Sequence, residues 1–559
     1  MARHELFRTN KVYTTTIVFV NKWYYDFLTQ FKIIPPLFLY KKYLIQKMYC
    51  DILYYAEFEF DRHFLFRLRA LSLHRRKRLF NGCLWKMGGN SMERKIKNYD
   101  ALIRSGDVSS RKIVLDIAEY TLKRLDSYER MKSMMRMEGS KLVIGTRTWD
   151  LAEKRNIYFI GAGKACNAMA KAVDEVVDGY LTDGIAVVKI HEPSDFFKKI
   201  RIRVGGHPIP NQAGFEACKE IFELVDGASS NDLFICAMSG GSSALMSCPV
   251  EGLTLQDEID TTNVLLKSGA GISEINSVRR HISRMNGGRL AQRIAEKGAE
   301  LIGFNISDAV SRPPTGDISV PCPDFTATPI GPDPTTLADA VYVIRKYGLE
   351  KKIPPNVLAY LLSCAPEGET PKGFPQNTYY QINTLPDSCV YAMEAAKRMG
   401  LDAFVLSTSI ESEAKEVGSM MASIAREIQE YSRPFPAPCV VISAGEAVTT
   451  ILDDNGIKGH GGPSQEMTLG FATTTCMANG SCLLSIDTEG TDGTTTAAGG
   501  ITDSHTKEMI EAAGMDPYAA LRGHASFEAL SAAEATVVTG NTGTNICDLN
   551  ILYVPAKNL

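Results

Sequence analysis

Four short glycine-rich loops constrain the fold of this chain, because each lies next to an apolar run. They are Gly161-Ala-Gly-Lys164, Ser239-Gly-Gly-Ser-Ser243, His460-Gly-Gly-Pro-Ser464 and Thr488-Glu-Gly-Thr-Asp-Gly-Thr494. Glycine lets the backbone approach a ligand closely and turn its amides toward it, and a helix that begins after such a loop adds the positive end of its dipole. The loops predict one cleft for phosphate and a small polar acid, assembled from distant parts of a large α/β protein.

Short apolar runs alternate with segments of helical periodicity. A helix is predicted, for example, where Phe215, Cys218, Ile221, Phe222 and Val225 recur at helical spacing. Such alternation is typical of a parallel, doubly wound, Rossmann-like sheet, which binds ligands beyond the carboxyl ends of its strands. The predicted strands of this sheet are 157–160, 185–188, 201–204, 233–237 and 301–304.

Residues 1–91 differ in composition from the rest of the chain. They carry 16 Lys and Arg against 6 Asp and Glu, and 20 of the 48 aromatic residues. They contain no uncharged apolar run of 18 residues, so no membrane span is predicted. We interpret them as a poorly ordered extension or a non-native start, with a mitochondrial targeting segment as the alternative.

Three further regions follow this extension. Residues 92–345 are predicted to form the Rossmann-like N-terminal domain, and residues 346–434 a connecting region of mixed helix and strand. Residues 435–559 again alternate strands with helices, which predicts a smaller C-terminal α/β domain.

The cysteines and the charge indicate the compartment and the partners. The 13 cysteines form no Cys-x-x-Cys pair, which is typical of core thiols in a reducing compartment, and four of them have apolar neighbours: Cys166, Cys218, Cys236 and Cys439. We therefore expect a cytoplasmic protein, or a mitochondrial one if residues 1–91 act as a targeting segment. The rest of the chain has a net charge of about -13 and no basic stripe, so no nucleic-acid partner is predicted. Oligomeric state is left open.

The first two loops have distinct chemistry. Gly161–Lys164 lacks the third glycine of a dinucleotide fingerprint, but Lys164 begins a predicted helix, where a positive charge meets phosphate or carboxylate. The alternative is a tight turn with a solvated lysine. Ser239–Ser243 offers hydroxyls and bare amides to an oxyanion, or is a flexible connection. It does not spell Gly-x-Ser-x-Gly, which argues against a serine hydrolase.

Basic and acidic side chains complete the predicted site. Arg280 and Arg284 lie four residues apart on one helical face beside Ser283, a suitable grip for a carboxylate or phosphate. Asp308, Glu446 and Asp492 lie where strands are expected to end. Phosphoryl transfer needs carboxylates to hold a hard cation and to orient the attacking hydroxyl, although each acid alone also suits a helix N-cap.

In order and spacing, these motifs resemble glycerate 2-kinases of the MOFRL type, whose relatives are also labelled hydroxypyruvate reductase. The resemblance runs from about residue 92 to residue 555. It is carried by the four loops together with Gly206-His-Pro208, Arg279, Gly287-Gly-Arg-Leu-Ala291, Ile306-Ser-Asp308, Gly445-Glu446, Gln465-Glu466, Ala497-Ala-Gly499 and Thr539-Gly-Asn-Thr-Gly-Thr-Asn545.

The resemblance implies ATP-dependent phosphorylation of D-glycerate to 2-phosphoglycerate, with Mg²⁺, in a cleft between the two domains. The family's functional lysine falls on Lys164. The arginine of its Gly-Gly-Arg-Asn-Gln-Glu motif is absent, because this chain has Pro463 there. We expect either that Arg280 or His460 stands in or that the loop acts through its backbone alone. Two smaller departures are Asn286 for a lysine and Asn541 for a proline.

Roles follow from these motifs as a hypothesis. Lys164, Asp492 and Arg280 are predicted catalytic residues, and Asp308 and Asp492 predicted Mg²⁺ ligands. The predicted substrate-binding residues are Arg280, Ser283, Glu446 and Gln465. The predicted ATP- or phosphate-binding residues are Gly161, Gly163, Ser239, Gly240, Gly241, Ser242, Ser243, Gly461 and Gly462.

Two rival functions remain open at the level of sequence. An NAD(P)H-dependent hydroxypyruvate reductase requires a dinucleotide loop and an acid that binds the ribose, and neither pattern is present. A catalytically weakened binding protein is the non-enzyme alternative, and Pro463 and Asn541 motivate it.

Overall fold

The structure, a computed structural model, describes most of the chain after residue 93. The described residues are 94–557 without 193–195, 311, 324, 326–328, 452–457 and 475–476. The chain divides into two units, Met1–Met92 and Glu93–Leu559. The predicted extension at 1–91 lies outside the described residues. Within the described part, no helix is long and apolar enough to cross a membrane.

A helical lead-in and a small antiparallel sheet precede the main sheets. The helices are α1 (Tyr99–Leu102), α2 (Val108–Leu125) and α3 (Ser127–Met134). The three-stranded sheet contains β1 (Met135–Glu138), β2 (Lys141–Ile144) and β3 (Arg147–Asp150), and the 3-10 turn Leu151–Glu153 leads out of it.

Six parallel strands form the first large sheet, in the order β6-β5-β4-β7-β8-β9. They are β4 (Asn156–Ala162), β5 (Asp183–Val188), β6 (Ile200–Val204), β7 (Asp232–Met238), β8 (Glu300–Ser307) and β9 (Thr378–Thr384). Counted from β4, this is the 3-2-1-4-5-6 order of doubly wound dinucleotide folds, and the direction of winding reverses between β4 and β7. The predicted Rossmann-like sheet is confirmed.

Helices cover both faces of this sheet. Phe159 and Ile235 pack on one face, and Ile160 and Phe234 on the other, as the alternation of side chains along a strand requires. The four cysteines predicted to be core thiols are buried. The helices of this part are α4 (Cys166–Val176), α5 (Gln212–Asp226), α6 (Ser242–Leu245), α7 (Leu255–Lys267), α8 (Ile272–His281), α9 (Arg289–Glu296), α10 (Leu337–Lys346) and α11 (Pro355–Ser363).

The second large sheet is mixed, in the order β10-β11-β15-β12-β13-β14. Only the β10–β11 pair among these described strands is parallel. The strands are β10 (Asp402–Ile410), β11 (Cys439–Gly445), β12 (Cys482–Asp487), β13 (Gly499–Asp503), β14 (Thr536–Val537) and β15 (Asp548–Val554). The helices are α12 (Leu385–Arg398), α13 (Ala414–Tyr431), α14 (Pro463–Ala472), α15 (Thr506–Ala512), α16 (Pro517–Arg522) and α17 (Ser526–Ala532).

The stretch 346–434, predicted to be a separate connecting region, is shared between the two sheets. It supplies β9 to the parallel sheet and β10 to the mixed sheet, and α12 joins them. The polar side chains of Gln381 and Asn383 interrupt the apolar run of β9, although both are buried. The Gln381 amide donates to backbone carbonyls within the sheet, and the Asn383 amide donates to the Leu125 carbonyl at the end of α2. This explains why the apolar pattern did not reveal the strand.

A buried ion pair binds the lead-in to the mixed sheet. Arg111 of α2 and Asp503 at the end of β13 lie 2.5 Å apart, and both side chains are fully buried. The guanidinium also donates to the Leu102 carbonyl and to Thr506 Oγ1. The start of the described chain is thereby held against elements that lie about 390 residues later.

We expect Arg111→Met to lower the free energy of unfolding by about 3–5 kcal/mol, because it leaves the Asp503 carboxylate buried without its countercharge. Lys123→Met is the control on the same helix. It removes a partly exposed pair with Glu119, and its expected cost is about 0.5 kcal/mol. Thermal and urea denaturation measure both, and equal losses would contradict this account of the pair.

Candidate active site

The loops after β4 and β7 interlock at the point where the strand order reverses. Lys164 N donates to the Gly240 carbonyl at 3.0 Å, and Ala165 N donates to Ser239 Oγ at 3.0 Å. Ser239 N donates back to the Ala162 carbonyl at 3.0 Å. This is the crevice where ligands bind in open α/β sheets, and the hydrogen bonds fix both loops in one arrangement.

Glycine is required at two positions of this junction. Gly163 has φ +129°, and a Cβ there would lie 2.1 Å from Ser239 Oγ. Gly241 has φ +86° and precedes α6, and a Cβ there would lie 2.8 Å from Cδ2 of His207. By contrast, Gly161 lies within β4, where its lack of a side chain makes room for Cys166 and Phe159.

Glu489, in the loop after β12, connects the mixed sheet to the parallel sheet. Its carboxylate lies 2.5 Å from Nζ of Lys164 and 3.0 Å from Nζ of Lys189, which follows β5. Glu489 is almost fully buried, whereas the two lysines retain some exposure. The first and fourth glycine-rich loops therefore meet through one carboxylate and two ammonium groups.

Charge compensation keeps Lys164 and Glu489 ionised. Burial opposes the charged form of Lys164, but the carboxylates of Glu489 and Asp487 outweigh it and raise the lysine pKa. Burial likewise disfavours the Glu489 carboxylate, yet Lys164 and Lys189 hold its pKa below the usual range. A cationic centre thus persists at the carboxyl edge of the sheet at neutral pH.

Other acids around this centre are pushed toward the protonated form. Burial raises the pKa of Asp308, and burial with the nearby charge of Glu489 raises the pKa of Asp487 to about 7. Asp487 lies directly opposite Asp548 in the β12–β15 register, and Asp548 also has a raised pKa because it is buried beside Asp487. The pKa of Glu446 is raised because protein atoms crowd its carboxylate and Asp308 repels it, although the residue stays open to solvent.

His207 lies against Gly241 on the other side of the loop. Burial and the charges of Lys164 and Lys189 lower its pKa to about 4, so its ring is neutral at pH 7. Asn545, from the mixed sheet's side, approaches the same loop, since a Cβ on Gly240 would lie 2.2 Å from its Nδ2 and 2.0 Å from Oδ2 of Asp308. Both sheets thus contribute side chains to this loop.

The third loop, His460–Ser464, contains the start of α14, and its backbone contacts Asp492 of the fourth loop. Asp492 accepts hydrogen bonds from the backbone amides of Ser464 and Gln465 and from Gln465 Nε2, and it is almost fully buried. Its pKa rises to about 6, mainly because of burial. A Cβ on Gly461 would clash with Ser526, and one on Gly462 with Asp492. Asp492 and Gln465 hold each other in this structure, and their catalytic and substrate-binding roles stay predictions.

Arg280 and Ser283 have protein partners as well. Arg280 Nη1 lies 3.0 Å from Oδ1 of Asp333, a fully buried carboxylate. Ser283 is fully buried, donates to the Cys248 carbonyl and accepts from the Met285 and Asn286 amides. Pro463 occupies the first turn of α14, a position where proline costs no helix hydrogen bond.

The structure thus brings together part of the predicted set and adds residues that the sequence analysis missed. The predicted residues at the junction are Gly163, Lys164, Ser239, Gly240, Gly241, Asp308 and Glu446, with Ser242 and Ser243 in the first turn of α6. The missed residues are Lys189, His207, Asp487, Glu489 and Asn545. Glu489, His207 and Asn545 lay within quoted motifs, whereas the lysine after β5 carried no motif signal.

The carboxylates of the junction decide whether it can hold a divalent cation. Among the residues that the structure describes, no three His, Cys, Asp or Glu side chains are grouped as a closed metal site. Mg²⁺ that accompanies a nucleotide takes only one or two carboxylates together with phosphates. Asp308, beside Gly240, fits that lesser requirement.

Fold and site together define a class. The protein is an α/β protein in which the loops of a parallel and a mixed sheet bring two lysines, glycine-rich turns and several acids together, a grouping typical of anion-handling enzymes of this architecture.

Comparisons with known proteins identify the family. Residues 113–362 match a domain of unknown function, DUF4147, and residues 439–548 match the MOFRL family. A glycerate 2-kinase of Pyrococcus horikoshii is 35% identical over 80% of this chain and 98% of its own length. A putative hydroxypyruvate reductase of Agrobacterium vitis is 34% identical over 71% of this chain and 86% of its own length.

A solved structure indicates the same family. The crystal structure of glycerate kinase from Thermotoga maritima is similar with a TM-score of 0.65 and 32% identity, and the match covers 79% of this chain and 99% of that one. The chain belongs to the MOFRL-type glycerate 2-kinase family.

The junction predicts that Gly163→Ala lowers the free energy of unfolding far more than Gly179→Ala does. Both glycines have positive φ, but no described atom lies within 4 Å of a Cβ on Gly179, whereas a Cβ on Gly163 overlaps Ser239. Gly179→Ala is expected to cost roughly 1 kcal/mol through backbone strain alone. Gly163→Ala should cost more, because the overlap with Ser239 adds to that strain. Urea denaturation measures both variants, and equal losses would contradict the interlocked loops.

Proposed function

We propose that this protein phosphorylates D-glycerate with ATP to give 2-phosphoglycerate, and that the reaction takes place in the cleft between the two sheets. The observation that carries the proposal is the joining of Lys164 and Lys189 through Glu489 at the glycine-lined junction. Membership of the glycerate 2-kinase family supports the choice of substrates.

Phosphoryl transfer requires that the negative charge on the transferred group be neutralised. Lys164 supplies a fixed positive charge, and the Gly240–Gly241 backbone with the first turn of α6 supplies amides at the neighbouring loop. Phosphate oxygens would compete with Glu489 for the Lys164 ammonium. The closeness of Asp487 and Glu489 keeps that lysine protonated before the nucleotide arrives.

Acids at the junction have two roles in this proposal. Asp308 would hold Mg²⁺ together with the phosphates, and the cation supplies charge neutralisation when bound. Glu446 accepts the proton of the attacking glycerate hydroxyl. Its raised pKa makes it a better proton acceptor than an ordinary carboxylate, and it is open to solvent.

Hydroxypyruvate reduction with NAD(P)H is the less favoured function. In dinucleotide folds an acid at the end of the second strand binds the ribose. Here β5 is that strand, and Lys189 follows it and is paired with Glu489. The β4 turn also lacks the third glycine of the fingerprint.

Purified full-length protein tests the proposal against both rivals. ADP release with D-glycerate and ATP, with a ³¹P NMR signal for 2-phosphoglycerate, is the expected result. NADH loss with hydroxypyruvate in place of ADP release would favour the reductase. Binding of glycerate without either reaction would favour the weakened binding protein.

Lys164→Ala is expected to lower kcat for glycerate phosphorylation by about 10²–10³-fold, the usual cost of removing one group that stabilises transition-state charge. Lys171→Ala, seven residues further on, is the matched control, because that lysine is exposed on α4 and contacts the Tyr128 ring. Steady-state assays measure both variants. Unchanged activity of Lys164→Ala would remove the lysine from the mechanism.

A further inference from the structure

Two adjacent arginines near the end of α8 have different surroundings. Arg280 is ion-paired with buried Asp333, which also accepts hydrogen bonds from Thr335 and Thr370. Arg279 has one hydrogen bond of marginal length, from Nη1 to Oδ1 of Asn276 at 3.5 Å. Its Nε is shielded from solvent, and no group in the described part of the chain accepts a hydrogen bond from it.

A shielded donor without an acceptor, such as this Nε, is costly, since it loses hydration without gaining a hydrogen bond. Arg279 faces Glu258 of α7, which is 1% exposed. Within the described residues, neither Glu258 oxygen has a hydrogen-bond partner, and the two side chains form no ion pair within 4 Å. Burial raises the pKa of Glu258 to about 7, so its charge compensates Arg279 only in part.

The segment that carries Arg279 is hydrogen-bonded to the Ser239–Ser243 loop and to the chain that follows it. After α8, Asn286 Nδ2 donates to the Ser243 carbonyl at 3.2 Å, and Arg284 N donates to the Cys248 carbonyl at 2.7 Å. Arg279 also contributes to the lowered pKa of His207, the residue that lies against Gly241. These hydrogen bonds tie the segment after α8 to the loop that contains Gly241, and Arg279, whose Nε has no acceptor among the described residues, has donors to offer.

We propose that Arg279 binds the carboxylate of the acceptor substrate and makes the site specific for an acid. This inference rests on the proposed function and names a specificity residue for it. A guanidinium binds a carboxylate through two parallel hydrogen bonds, which would satisfy the donors that the protein leaves unpaired. Lys164 and Lys189 lie together elsewhere in the cleft, where they suit the phosphates of ATP.

Steady-state kinetics of Arg279→Gln test the assignment. The KM for D-glycerate should rise by about tenfold or more, as the loss of a charged hydrogen bond predicts, while the KM for ATP stays within about twofold. Preference for D-glycerate over glycerol, which lacks the carboxylate, should fall by a similar factor. Arg279→Lys keeps the positive charge but cannot form the two parallel hydrogen bonds, so it should give an intermediate KM for D-glycerate. This variant also tests the assignment if Arg279→Gln does not fold.

Arg293→Gln is the control, because Arg293 of α9 forms a partly exposed ion pair with Asp226 of α5. The kinetics of this variant should match those of the unmodified protein. An unchanged KM for D-glycerate in Arg279→Gln would overturn the assignment. So would a rise confined to the KM for ATP, which would make Arg279 a phosphate contact. A rise in Arg280→Gln alone would restore the role to Arg280.

Calorimetric titration with D-glycerate separates this inference from the proposed function. If the unmodified protein binds D-glycerate and Arg279→Gln binds it at least about tenfold more weakly, Arg279 is the carboxylate site even if no ADP is released. Equal binding by both proteins would overturn the inference while leaving phosphorylation itself intact.

Discussion

The ion pairs of Glu489 with Lys164 and Lys189 are the interaction on which the junction of the two sheets depends. They join the loop after β12 to the loops after β4 and β5, and so hold the mixed sheet against the carboxyl edge of the parallel sheet. They also fix the protonation of the site, because mutual compensation keeps Lys164 and Glu489 charged in a partly buried setting. The same setting pushes Asp308 and Asp487 toward protonation.

Much of the fold could be predicted from the sequence, because buried parallel strands are continuous apolar runs between amphipathic helices. The segments at 157–160 and 233–237 became β4 and β7, and α5 buries the face predicted for it. β9 could not be found in this way, since its buried amides reach their backbone acceptors on β8 and at the end of α2 only in the folded protein. Nor does a local pattern show that α2 packs on β13 through Arg111, because that pairing spans most of the chain.

The parts of the site that depend on backbone geometry could be predicted from the sequence. The parts that depend on which side chains pair with each other could be predicted less well. The glycines at 163 and 241 predict that another part of the chain comes close to the backbone, and the structure shows that Ser239 and His207 do so. Acids are harder to assign: Asp492 looked like Asp308 in sequence, yet it caps α14, while Glu489 in the same loop reaches the lysines. Adjacent arginines cannot be told apart by spacing either, because partners such as Asp333 lie tens of residues away.

The central claim is that the junction of the β4, β7 and β12 loops is where phosphoryl transfer to glycerate takes place. A crystal structure with D-glycerate and a non-hydrolysable ATP analogue tests it most directly. The account predicts the γ-phosphate within hydrogen-bond distance of Lys164 Nζ and the Gly240–Gly241 amides, with the glycerate hydroxyl directed at it. A nucleotide bound away from this junction, with the Lys164–Glu489 pair intact, would contradict the account.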